Sequence, residues 1–116
     1  MILFNHMVEY QDQGDSTFRA LADPTRRRMV ERLSQKPCTV GELAEPLSMS
    51  FAGASKHVGV LEAAGIVRRE KRGRERLCIL QPKALFEMRD WVERYSRFWN
   101  ARLDALDQAL KEDSDE

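Results

Sequence analysis

Ser55, Lys56 and His57 stand in a row, with Ser50 and Ala52 shortly before them, in a stretch whose apolar spacing is helical. Hydroxyl, ammonium and imidazole groups on a helix that also carries small residues such as Ala52 and Gly59 suit one chemistry in particular. They can enter a major groove only ~12 Å wide and reach phosphates and base edges. The plainer reading of His57 is a structural histidine bonded to backbone or phosphate. A second constellation follows in the run RREKRGRER, which supplies Arg69, Lys71, Arg72, Arg74 and Arg76. Cations gathered around one glycine suit the backbone or minor groove of a duplex, giving affinity and salt dependence more than sequence choice. Other chemistries lack their parts. No paired nucleophile and base, phosphate loop or metal-ligand cluster occurs, so neither an enzyme nor a cofactor is expected.

A formal net charge of zero, from 19 Lys/Arg and 19 Asp/Glu, conceals a division along the chain. Residues 50–81 hold seven basic against three acidic residues, whereas residues 84–116 hold five against nine. Screening limits each charge to roughly 8–10 Å, so a locally basic surface can steer a polyanion despite a neutral total. At 116 residues the chain is expected to form one domain, too small for a core plus an enclosed catalytic cleft. Cys38 and Cys78 lie far apart, and the opening MILFNHMVEYQDQGD lacks the pattern of a secretory leader. A soluble protein in a reducing cytoplasm, without a disulfide framework or a membrane partner, is therefore expected.

The elements that must position these groups are marked by start and stop signals. Asp15-Ser16-Thr17 begins a first helix carrying Phe18, Leu21 and Ala22, which Asp23-Pro24 interrupts. A second helix from about Pro24 to Ser34 presents Met29, Val30 and Leu33 on one face and leaves Arg26, Arg27, Arg28 and Arg32 to solvent or phosphate. Thr39 and Glu42 form a capping box for a short third helix with Val40, Leu43, Ala44 and Leu47 as its stripe. Ser48 or Ser50 caps a fourth helix that runs to about Ala64, turns Val58 and Leu61 to the core and stops at Gly65. Cys38 reads as a residue at a helix start, and Cys78 as facing the core or its edge. Residues 66–71 and 75–80 read as two strands joined at Arg72-Gly73-Arg74. The predicted fold is mainly α with a small β-hairpin wing, a winged helix-turn-helix over residues 15–81.

Residues 82–111 are predicted to be one long helix. Leu85, Met88, Val92, Tyr95, Trp99, Leu103, Leu106 and Leu110 step along it by three or four, with Trp91 and Phe98 widening the stripe. A small domain cannot cover that much aromatic surface, so Leu85, Met88, Val92, Tyr95, Phe98, Trp99, Leu103 and Leu106 are assigned to a dimer interface. A two-fold pair would set two recognition helices ~34–36 Å apart on a palindromic operator of double-stranded DNA. In residues 1–14, Leu3, Phe4, Met7 and Val8 share a helical face and form either a short helix packing on the same interface or an unstructured lead. Residues 112–116 read as a frayed acidic tail.

The segments LADPTRRRMVERL and TVGELAEPLSMSFAGASKHVGVLEAAGIVRREKRGRERLCIL resemble the ArsR-type winged-helix transcriptional regulators, over about residues 16–111. The family pattern SxHLxxLxxAGLVxxRRxGRxxxYxL is met by Ser55, His57, Leu61, Ala64-Gly65, Val67, Arg72-Gly73-Arg74 and Leu80. The resemblance implies a homodimer that binds operator DNA and represses transcription until a signal releases it. The family's arsenic and cadmium sensors carry Cys-x-Cys at the positions of Thr39 and Gly41, with Cys38 one place off. Its zinc, nickel and cobalt sensors use ligands that include a histidine of the last helix, and no histidine follows His57. With His6 adding little, no metal site is expected, and the chain resembles the branch lacking metal-ligand motifs. A small organic effector at the aromatic helix is a further candidate partner. The competing functions are a winged-helix protein-interaction adaptor and a metal-responsive repressor with a non-standard site.

Overall fold

In the computed structural model, which describes residues 15–114, a proline-marked corner separates the first two helices. Helix α1 covers 15–21 and α2 spans Pro24–Gln35. Asp23 keeps extended geometry at the corner and caps α2, its carboxylate accepting from the Thr25 amide at 3.0 Å. Met29 and Leu33 are buried, as their spacing predicts. Two of the arginines left to solvent or phosphate also hold the corner shut, Arg26 half-buried and Arg27 exposed. Arg26 donates from Nε to the Ala20 carbonyl at 2.6 Å and from Nη2 to the Arg19 carbonyl at 3.2 Å, and Arg27 reaches the Leu21 carbonyl at 2.8 Å. The last carbonyls of a helix have no partner within it, and a guanidinium from the next helix meets both that need and the negative end of the α1 dipole.

Helix α3 (Val40–Ala44) opens with the predicted capping box. The Glu42 amide donates to Thr39 Oγ1 at 3.1 Å, and the Thr39 amide donates to Glu42 Oε1 at 3.0 Å. That second bond, with the Thr39 hydroxyl acting alongside it, holds the Glu42 carboxyl below its ordinary pKa. A folded pKa below the unfolded one means that this contribution is complete above the ordinary carboxylate range and is lost as pH falls through the lowered value. Thr39→Ala is expected to cost about 1 kcal/mol. Glu42→Gln should flatten the acid limb of stability, which urea midpoints measured from neutral pH down to strong acid would show.

A 3-10 turn, Glu45–Leu47, carries Pro46, and Ser48 then reverses the chain with φ 52°. Of the two candidate caps it is Ser50 that starts α4 (Phe51–Ala63), accepting from the Gly53 amide at 3.0 Å. Gly65 ends the helix with φ 76°. Ala54, Val58 and Leu61 are fully buried against α2 and α3, together with Leu43 and Ile66. Each such leucine or valine contributes roughly 1.5–3 kcal/mol of burial.

The wing is an antiparallel pair, β1 (Val67–Arg72) and β2 (Glu75–Leu80), in the register Val67 to Leu80 through Arg72 to Glu75. Gly73, with φ 62°, takes the first central position of the two-residue turn, as a type II′ hairpin asks. The base of the wing holds a contact that helical reading of the sequence missed. Cys38, expected at a helix start, lies opposite Cys78 in an isolated bridge, their backbones exchanging bonds of 3.2 and 2.7 Å. The hinge between α2 and α3 is thereby sewn to β2. Both thiols are free and buried. Burial pushes the Cys78 thiol above its ordinary pKa despite the opposing pull of Arg69, and a protonated thiol is a poor metal ligand and nucleophile.

Helix α5 (Pro82–Ser114) continues past Lys111 into the segment read as a tail. Only Ala84 is buried, Leu85 packs on the core, and every residue from Arg89 to Ser114 is exposed. The radius of gyration, 19.9 Å, against roughly 13 Å for a compact chain of this size, reflects that projecting helix. Val92 and Leu103, Tyr95 and Leu106, and Trp99 and Leu110 repeat at intervals of eleven residues. Such a repeat is close to the natural helical period and keeps the stripe nearly parallel to the axis. No helix among the described residues is long and apolar enough to cross a membrane. The apolar face proposed for Leu3, Phe4, Met7 and Val8 lies outside the described residues.

Candidate nucleic-acid interface

Because successive helical residues are about 100° apart, the buried line of Ala54, Val58 and Leu61 fixes where every other side chain of α4 points. Lys56 and Ala52 project directly away from the core, and both are exposed. Ser55 lies half-buried on one flank and His57 half-buried on the other. Gly59 shares the outward face, and a Cβ added there would meet nothing within 4 Å. The Ser50 hydroxyl is engaged in capping. Phe51, which the reading of contact residues passed over, is the first residue of α4 and 66 % exposed. It stands three residues before Ala54, in line with the buried spacing, so the sequence pattern points it inward, but at the leading end of the helix it is left exposed, where an apolar ring can meet a thymine methyl.

His57 does not point where Lys56 points. Its Nδ1 lies 3.4 Å from Asp23 Oδ2 and 3.3 Å from Arg26 Nη1, and those two atoms are 3.3 Å from each other. Nε2 has no hydrogen bond among the described residues. The α1–α2 corner and the helix that carries Lys56 thus share one polar cluster.

The wing separates its cations into two sets. On the outer face Glu70 accepts from Arg68 at 3.0 Å and lies 3.5 Å from Arg72, and these contacts, the Arg68 hydrogen bond foremost, hold its carboxyl below the ordinary range. Arg69 turns back toward α4, with its buried Nε 3.5 Å from Glu62 Oε2 but without hydrogen-bond geometry. Lys71 and Arg76 stand opposite each other near the tip, with Arg74 at the turn, and all three are exposed and form no ion pair among the described residues. Glu70→Gln is expected to release Arg68 and Arg72. Binding to unrelated duplex DNA should then tighten severalfold at low salt, with a log–log salt slope steeper by about 2 for a dimer with one freed Arg72 in each wing, as fluorescence anisotropy would record.

A separate, apolar surface runs along α5. Trp91 and Tyr95 stack at 4.9 Å with an interplanar angle of 10°, and Tyr95 continues to Phe98 and Trp99 at 6.5 and 6.1 Å. Val92, Leu103, Leu106 and Leu110 prolong it, each exposed by about half. Of the residues assigned there by sequence, Leu85 packs on its own core and Met88 is half-buried. Phe18 joins the surface from α1, edge-on to Trp91 at 5.3 Å. Its placement depends on the α1–α2 corner, which no local pattern specifies.

Comparison with known proteins gives these surfaces their context. A helix-turn-helix domain family matches residues 21–70. The chain is 37 % identical over 102 residues to the HTH-type transcriptional regulator Rv2034 of Mycobacterium tuberculosis, covering 88 % of this chain and 92 % of that one. It is 27 % identical over 78 residues to the transcriptional repressor SdpR of Bacillus subtilis, covering 67 % and 87 %. Among solved structures, the ArsR family transcriptional regulator RHA00566 superposes with a TM-score of 0.70 at 39 % identity, covering 76 % of this chain and 97 % of that one.

Proposed function

The chain belongs to the ArsR family of winged helix-turn-helix transcriptional regulators, and we propose that it works as a homodimeric repressor on a palindromic operator. It is a DNA-binding transcriptional regulator, so the questions are how it holds DNA and in what assembly. One observation carries the reading. Lys71, Arg74 and Arg76, three cations without an ion pair among the described residues, crown a wing beside a helix whose outward face is Lys56, Ala52 and Gly59. In the proposed complex α4 enters the major groove. Lys56 and Ser55 meet base edges and phosphates there, with Ser50, Ala52 and Phe51 at its leading end. Lys71, Arg74 and Arg76 neutralise backbone phosphates, and Arg72 shares that role once Glu70 is displaced. Arg69 supports the wing from behind through Glu62.

Dimerisation through α5 would cover the aromatic surface and align the two reading helices. Arg94, with Trp91, Tyr95 and Phe98, lines an open hollow of about 460 Å³ on that same surface, so a small organic anion taken up by its apolar walls and single cation would act as releasing signal by competing with the partner helix. The site of action is the cytoplasm, where such a regulator meets its DNA. Selection of bound duplexes from a random pool tests the proposal. An inverted repeat with half-site centres about one helical turn apart is the expected product. Enrichment of no sequence would leave a winged-helix adaptor as the better reading, and enrichment of a single unrepeated site would remove the dimer from it.

A further inference from the structure

His57 sits in the middle of the reading helix, yet its ring is turned to the corner between α1 and α2. Its Nδ1 approaches both Asp23 Oδ2 and Arg26 Nη1, at 3.4 and 3.3 Å. Neither partner is a passing surface charge. Asp23 is the cap of α2, and Arg26 also holds the carbonyls of Ala20 and Arg19. The side chains of Arg26 and Asp23 are 17 % and 24 % exposed, and that of His57 is 25 % exposed, so the three groups are largely shielded from competing water. With its proton on Nδ1 the imidazole donates to Asp23 Oδ2, and without it Nδ1 accepts from Arg26 Nη1, so in either tautomer one directed bond links α4 to the α1–α2 corner. The apolar contacts of Ala54, Val58 and Leu61 lack that direction and would tolerate a few degrees of rolling.

We infer that His57 is a positioning residue: its Nδ1, bonded to Asp23 as donor or to Arg26 as acceptor, fixes the rotation of α4 about its own axis and so aims Lys56 and Ser55 at the groove. The inference rests on the DNA-binding reading above. Rotation matters because Lys56, about 100° around the helix from His57, swings with any roll that the pivot permits. A roll of about 5° about an axis some 5–6 Å from the side-chain tips moves them by roughly 0.5 Å, which is enough to weaken hydrogen bonds that tolerate only a few tenths of an ångström. Affinity drawn from phosphates would survive such a roll, whereas sequence choice would not.

Two isosteric substitutions distinguish this role from direct contact with DNA. The Asn amide places a polar atom where Nδ1 stands, and the Gln amide places one near Nε2. His57→Asn is expected to keep sequence-specific binding within about threefold of wild type. His57→Gln and His57→Ala should lose roughly tenfold in affinity for the selected operator, while their binding to unrelated duplex and their dimer mass stay unchanged. Wild-type-like binding by His57→Gln with failure of His57→Asn would transfer the role to Nε2 and overturn the inference, as would equal behaviour of all three variants. A readout that needs no DNA separates this test from the function itself. In the free protein, the ¹⁵N shift of the His57 Nδ1 should move in Asp23→Asn and again in Arg26→Gln, and an unmoved shift in both would show that the cluster does not hold the ring. If the wild-type protein bound no operator while those shifts moved, the function would fail and the cluster would stand.

Discussion

Replacing Lys71, Arg74 and Arg76 together by alanine removes six cations from a dimer with two wings, and is expected to lower operator affinity by roughly 10⁴-fold and to reduce the log–log salt slope by about 5. The slope follows from counterion release, about 0.9 per phosphate neutralised. The affinity follows from about 1 kcal/mol for each charge-assisted hydrogen bond that the alanines cannot make. The three cations are chosen because they are exposed and unpaired among the described residues, whereas Arg68 and Arg72 share Glu70 and Arg69 faces Glu62. Their removal leaves the fold intact, since none contributes to the core. The weakening should be similar for operator and unrelated duplex, because phosphates carry no sequence information. Anisotropy titrations at several salt concentrations provide the check. A variant that lost discrimination while keeping the wild-type slope would mean that the wing reads bases.

Trp99→Glu is expected to convert the dimer to monomer at about 10 μM and to weaken operator binding by 10²–10⁴-fold, the effect that accompanies uncoupling of two linked half-sites. Trp99 is 45 % exposed within one chain, and its ring contacts among the described residues are with Tyr95 and Phe98 of the same helix, at centroid distances of 6.1 and 6.0 Å. The monomer should therefore unfold within about 0.5 kcal/mol of wild type, as is usual for surface substitutions. A carboxylate in a paired helix interface would be buried without a partner, and that cost falls entirely on assembly. Sedimentation gives the mass directly. An unchanged dimer mass would place the interface elsewhere than on α5.

Local patterns made much of this architecture legible. The Thr39–Glu42 capping box, the corner at Asp23-Pro24, the stop at Gly65 and the turn at Gly73 each depend on a few neighbouring residues, and each is present in the structure. The family resemblance read from LADPTRRRMVERL and the SxHL-like run leads to the same conclusion as the comparisons. What local patterns could not give were pairings across distance. Arg26 looks like any solvated arginine of an amphipathic helix until α1 folds back and offers its carbonyls. Cys38 and Cys78 are separated by two helices and a strand, and only the closed fold sets their backbones side by side. In the wing, alternation along one strand already puts Arg68, Glu70 and Arg72 on one face, whereas the pairing of Arg69 with Glu62 exists only because α4 packs behind the hairpin. His57 is the plainest case. Its position in the sequence places it on the reading helix, and its ring orientation, set by tertiary contacts, turns it toward Asp23 and Arg26.

The most direct measurement is a titration of the full chain against the duplex selected from a random pool and against a scrambled duplex of the same composition, at salt from about 50 to 200 mM. A sequence-specific regulator with a phosphate-gripping wing should prefer the selected duplex by about 10³-fold or more, with affinity falling steeply as salt rises. Equal affinity for the two duplexes, or binding indifferent to salt, would contradict the account.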